Sequence, residues 1–135
     1  ARHRVHEAAR GGTELIMGIS RDPVFGPVVM VGDGGISLEA LGDFSLLPPP
    51  FDVAAVEAAL SQLRVAPLLR GVRGEAPSDT AAFAGIAVRL GDAMLEWQGE
   101  VASIDINPVK VFARGEGAFA VDALVERVRL PERSR

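Results

Sequence analysis

The chain is expected to be α+β, a mostly antiparallel sheet packed against two helices. Two observations carry that expectation. Runs rich in β-branched residues fall in the first and last thirds, and the two segments with helical spacing lie together between them, so strands and helices do not alternate. The size agrees: 135 residues, 48% of them hydrophobic, amount to one domain, which at this length buries enough surface to hold together without staples.

Residues 13–20 (TELIMGIS) and 27–32 (PVVMVG) read as two strands joined by the turn-prone Arg21-Asp22-Pro23. After Gly32-Asp33-Gly34-Gly35, residues 36–41 (ISLEAL) resume the pattern, and Pro48-Pro49-Pro50 ends the segment because proline cannot donate to a central ladder. Asp52 is a suitable N-cap for a helix over 53–63, with Val53, Val56, Ala59, Leu60 and Leu63 at helical spacing; Pro67 and Gly71 block any extension. Ser78 is the expected cap of a second, longer helix. Its stripe is Phe83, Ile86, Ala87, Leu90, Met94 and Trp97, the pattern of one face packed on a core. Residues 100–106, 109–113 and 118–124 are three further strands, the last two closed by Arg114-Gly115-Glu116-Gly117 as a hairpin. No internal repeat or interdomain linker interrupts the order.

Composition excludes several classes of function. Cys is absent, which removes disulfide scaffolds, Cys-based zinc sites and thiol nucleophiles, and fits a cytoplasmic protein. No run approaches the roughly 18 apolar residues of a membrane span. The net charge is -4, yet residues 1–10 and 126–135 each carry +2, which leaves -8 on the body. An acidic body with 5% aromatic residues and no Tyr is a poor nucleic-acid surface and is compatible with a divalent cation. Lys110 is the only lysine. The chain begins Ala-Arg-His-Arg, and is expected to be a fragment of a longer protein with flexible ends at 1–4 and 130–135.

The richest constellation is Ser103-Ile104-Asp105-Ile106-Asn107-Pro108, followed by the hairpin and Asp122. In a strand Asp105 and Asn107 share one face and Ile104 and Ile106 the other. With a loop of 114–117, residue 113 pairs with 118 and Asp122 falls opposite Val109. Continued parity then places Val109 and Asp122 on that same face, with Asp122 diagonal to Asn107 at roughly 7 to 8 Å. Three hard oxygen donors on one patch suit Mg2+ arriving with a nucleotide. The same residues also suit the solvent face of an antiparallel sheet with ordinary Asn-Pro turn chemistry, and a bulge at Pro108 would change the register. Gly34 and Gly35 could bring backbone amides to phosphate or simply form a turn; neither the P-loop nor the dinucleotide fingerprint is complete. Arg70-Gly71-Val72-Arg73-Gly74 could hold an anion or be solvated, and His3 and His6 have no evident partner.

The ordered runs Gly12-Thr-Glu14-Leu-Ile-Met-Gly18, Arg21-Asp22-Pro23-Val-Phe25-Gly26-Pro27, Gly32-Asp-Gly34-Gly35-Ile-Ser-Leu-Glu39, Leu69-Arg-Gly71-Val-Arg73-Gly74 and Asp105-Ile-Asn107-Pro108 resemble the ATP-grasp domain of NDP-forming acyl-CoA synthetases, relatives of the succinyl-CoA synthetase β subunit. The resemblance runs from about Val5 to about Val125 and corresponds to the C-terminal part of that domain. It implies an ATP-grasp subdomain whose metal ligands are Asp105, Asn107 and Asp122, with Glu14 and Glu39 near the nucleotide and Gly34 and Gly35 in the glycine loop. Asp33 stands where the family usually has an apolar residue. Mg2+ and ATP/ADP are the implied cofactors.

The implied parent is an acid–CoA ligase that converts acyl-CoA, ADP and phosphate to carboxylate, CoA and ATP through a phosphohistidine. The fragment holds no catalytic residue of its own. It is expected to be inactive without the N-terminal ATP-grasp half and the CoA-ligase module, and its uncovered interface favours homo-oligomers. An alternative is a catalytically inactive, ligase-like regulatory module of a protein lysine acetyltransferase.

Overall fold

The computed structural model describes residues 12–34 and 42–129. Among the described residues six strands form one sheet: β1 (Thr13–Asp22), β2 (Gly26–Asp33), β3 (Phe44–Leu47), β4 (Val101–Val111), β5 (Ala118–Ala120) and β6 (Ala123–Arg127). Three helices lie between β3 and β4: α1 (Val53–Ser61), α2 (Ala66–Leu69) and α3 (Thr80–Glu96). The spatial order is β3-β2-β1-β4-β5, with β6 also pairing β4, and every pairing is antiparallel.

Alternation gives the sheet two unlike faces. On the inner face Leu15, Met17, Ile19, Val29, Val31, Ile104, Ile106, Val109 and Val111 are buried, packed with Val56 and Leu60 of α1 and Phe83, Ala87, Leu90 and Met94 of α3. The stripe on α3 therefore faces the core, apart from its last member: the helix ends at Glu96, and Trp97, its C-cap, is largely exposed.

Several expected boundaries move. Asp52 caps α1 as expected, its carboxylate accepting from the Ala55 amide. Asp79, not Ser78, caps α3, accepting from Ala82, while the Ser78 amide donates to the Leu69 carbonyl and its hydroxyl meets that of Thr13. α1 ends at Ser61 and is not extended to Pro67, which instead lies in the first turn of a separate short helix, α2, where its missing N–H is harmless. The expected strands 100–106 and 109–113 are one strand, β4, and the expected strand 118–124 is divided between β5 and β6 around Val121 and Asp122. The expected strand 36–41 falls wholly outside the described residues; the described third strand is β3. His3, His6, Gly35, Glu39 and the ends 1–4 and 130–135 also fall outside the described residues.

Candidate functional site

The outer face of the sheet carries the candidate site. Three cross-strand rows can be read from the pairing. The first runs Leu46, Met30, Gly18, Asp105, Leu124 across five strands. The second runs Phe44, Gly32, Ile16 and then meets Asn107 and Pro108. The third is Glu14, Lys110, Phe119. Phe44, Leu46, Phe119 and Leu124 are 40%, 60%, 46% and 60% exposed, so this face is open where the inner one is covered by helices. It is apolar toward β3 and charged over β1 and β4.

Two corrections to the expected register follow from the structure. Val111 pairs with Ala118, and Val109 with Ala120, so the hairpin loop is longer than 114–117. The longer loop is held both locally, by the Phe112 amide on the Gly117 carbonyl and the Glu116 amide on the Ala113 carbonyl, and from a distance: Ala113 bridges to Ser78, and the Asp79 carboxylate accepts from the Gly115 and Gly117 amides at 3.0 and 2.9 Å. Asp122 consequently stands across from Asn107, whose amide donates to the Asp122 carbonyl at 3.1 Å, instead of diagonal to it. The second correction is a bulge. Leu15 pairs with Val109 but Met17 pairs with Ile106, so Ile16 alone faces Asn107 and Pro108. Beyond it the alternation flips: Val109 is buried in the core, and Lys110, not Val109, joins the outer face.

Each expected site residue can now be placed. Asp105 and Asn107 are exposed on the outer face of β4, and Asp122 is exposed between β5 and β6. The Asp105 carboxylate lies over Gly18: a Cβ at that glycine would come within 2.8 Å of Asp105 Oδ1, so only glycine leaves this carboxylate its position. One Asp122 oxygen accepts from the Ala123 amide at 2.9 Å. Glu14 is paired with Lys110, Nζ to Oε2 at 2.8 Å. Gly34 donates its amide to the Glu14 carbonyl, and a Cβ there would press on Ile16 and the Leu15 backbone. Its N–H is thus committed within the sheet, and the glycine serves close strand approach. A cavity of about 620 Å³ opens beside Glu14, with Asp33 also in its wall.

Gly18 and Lys110 have places in this arrangement that the sequence did not reveal. A glycine across the strand from an acidic residue is the signal that could have found the first. Among the described residues no cluster of three or more His, Cys, Asp or Glu side chains is assembled. Two carboxylates and an amide oxygen are an all-oxygen, partial donor set, and this fits Mg2+, which keeps several waters and takes phosphate oxygens instead of filling a protein cage.

An antiparallel sheet covered by helices on one side, with an open face bearing Asp-x-Asn-Pro, is the α+β arrangement of part of an ATP-grasp domain. An ATP-grasp domain model matches residues 2–126, and the chain belongs to that family. It is 41% identical over 121 residues to a trans-feruloyl-CoA synthase from an unknown prokaryotic organism, covering 90% of this chain and 17% of that protein. It is 43% identical over 112 residues to the β subunit of ADP-forming acetate–CoA ligase I from Pyrococcus furiosus, covering 83% of this chain and 47% of the subunit. Among solved structures, the Ca. Korarchaeum cryptofilum dinucleotide-forming acetyl-coenzyme A synthetase 1, in complex with coenzyme A and Mg-AMPPCP, superposes with a TM-score of 0.80 at 32% identity. That match covers 95% of this chain and 65% of the other. The chain thus spans less than half the length of these two curated relatives.

Proposed function

We propose that this chain is the nucleotide- and magnesium-holding half of an NDP-forming acyl-CoA ligase, whose parent interconverts acyl-CoA, ADP and phosphate with carboxylate, CoA and ATP. The observation that carries the proposal is the placement of Asp105 and Asn107 on the open sheet face, with Asp122 across from Asn107 and Gly18 making room for the Asp105 carboxylate. Asp105, Asn107 and Asp122 would hold Mg2+, which supplies charge neutralisation to a transferring phosphoryl group. The apolar flank of Phe44, Leu46 and Met30 offers a surface for the uncharged part of a nucleotide, while the polar flank orients its phosphate end. Lys110 partly offsets the Glu14 charge on that flank, so the phosphate end meets less repulsion.

The test uses the full-length protein. Mn2+ binding in the presence of ADP, followed by electron paramagnetic resonance, is expected to weaken at least tenfold in Asn107→Ala and in Asp105→Asn. Unchanged affinity in both variants would remove the metal from this face and favour a module that has kept the fold without the ligand.

A further inference from the structure

A second feature lies on the helical side of the sheet, away from the nucleotide face. Between α1, α2 and the β4–β5 loop is a cavity of about 380 Å³, within the size range of small-molecule sites. Its floor is apolar: Leu60, Ala66 and Leu69 line it and are themselves almost fully buried. Its rim carries Arg70 and Arg114, two exposed guanidinium groups. Neither makes a hydrogen bond or ion pair with another described side chain. Two acidic groups share this region: Glu57 lines the cavity as well, and Asp79 feels the Arg114 charge, so Arg70 is the cation with no carboxylate set against it among these. Glu57 accepts from the Thr80 hydroxyl at 3.0 Å, and Asp79 accepts three backbone amides.

Both arginines stand on fixed backbone. The Arg70 amide donates to the Ala66 carbonyl at 3.1 Å, closing α2. The Arg114 amide donates to the Pro77 carbonyl at 2.8 Å, in a loop that Asp79 holds from the other side. Two planar cations held at the mouth of an apolar cavity match an anion whose charge can be shared between forked donors and whose body can leave water. We propose that this cavity binds a small organic carboxylate with an apolar body, at a site separate from the nucleotide face. Arg70 and Arg114 hold the carboxylate, and Leu60 and Leu69 contact the body.

Hydrogen exchange followed by mass spectrometry on the full-length protein tests this with benzoate and, separately, inorganic phosphate as probes. Benzoate is expected to protect peptides covering 66–80 and 112–118 in a saturable way, and Arg70→Ala and Arg114→Ala should each raise the half-saturating concentration at least tenfold. Arg64→Ala, an exposed arginine outside the cavity, should leave it unchanged. Circular dichroism and a thermal midpoint unaltered in all three variants show that the fold survives. Three results would each overturn the proposal: no protection of those peptides, protection that both arginine variants retain, or protection by phosphate at concentrations equal to benzoate. Loss of the metal site on the other face changes none of these readings, so the two proposals fail separately.

Discussion

Asp79 joins three parts of the structure, and its removal is the most informative single perturbation. Its buried carboxylate accepts from Ala82 in the first turn of α3 at 3.1 Å and from Gly115 and Gly117 in the β4–β5 loop at 3.0 and 2.9 Å. Losing an N-cap costs about 1 kcal/mol, and hydrogen bonds to a charged group contribute about 1.5–3 kcal/mol each. Because the three bonds share one side chain, their losses do not add, and Asp79→Ala should cost about 2–4 kcal/mol. Asp79→Asn keeps one acceptor oxygen and should cost less. The carboxyl is held below its ordinary value of 3.8, first by the Gly117 amide and then by Ala82, Gly115 and the nearby Arg114 charge, against the opposing effect of burial. A lowered folded-state pKa stabilises above the unfolded value and is lost as pH falls through 3.8 toward the folded one. Hydrogen exchange at Gly115 and Gly117 is the assay. The wild type should lose protection there on acidification below that value, and Asp79→Ala should already lack it at neutral pH. Equal protection of both amides in wild type and Asp79→Ala would refute the reasoning.

Other perturbations separate packing from the site. Gly18→Ala places a methyl against Asp105 Oδ1, the movable end of a side chain, and within 3.2 Å of the Ile104 carbonyl, so stability should fall by about 1 kcal/mol while Mn2+ binding with ADP weakens; equal binding would count against the role given to Gly18. Lys110→Met breaks a pair whose lysine is 14% and glutamate 40% exposed, which should cost at most about 1 kcal/mol. It should nevertheless weaken ADP binding, with recovery in Lys110→Arg, as calorimetry can determine. Phe83→Ala empties the largest fully buried side chain and should cost about 3–5 kcal/mol, read from denaturant-dependent exchange of the α3 amides.

The α+β class and the long helix were legible because their signals are local. Phe83, Ala87, Leu90 and Met94 repeat with helical spacing, and all four are buried. The cap was not decidable in the same way. Ser78 and Asp79 are both able to cap, and what selects Asp79 is tertiary: Ser78 is drawn to Leu69 and Thr13, and the Asp79 amide to the Phe112 carbonyl. Likewise Pro108 suggested a break between two strands. β4 continues through it because the bulge places proline where the ladder to β1 is already irregular, while its carbonyl still accepts from Val121.

The candidate site shows how a local rule and a distant contact combine. Asp105 and Asn107 precede the bulge, so strand alternation alone puts them on one face. The hairpin pairs two residues away from the register that a 114–117 loop would give, and its longer loop is held by Asp79, far away in sequence, through Gly115 and Gly117 as well as by its own backbone bonds. A shift of two leaves each residue on its face and changes only its neighbour, which brings Asp122 opposite Asn107. The bulge is a shift of one relative to β1, and its effect falls beyond Pro108. With unbroken alternation Val109 would face outward and Lys110 would be buried in the core without a counter-charge, an arrangement costing several kcal/mol. The extra residue removes that conflict by turning Val109 inward and setting Lys110 beside Glu14. The same irregularity that hides the register from the sequence therefore puts the chain's only lysine on the face that carries Asp105 and Asn107.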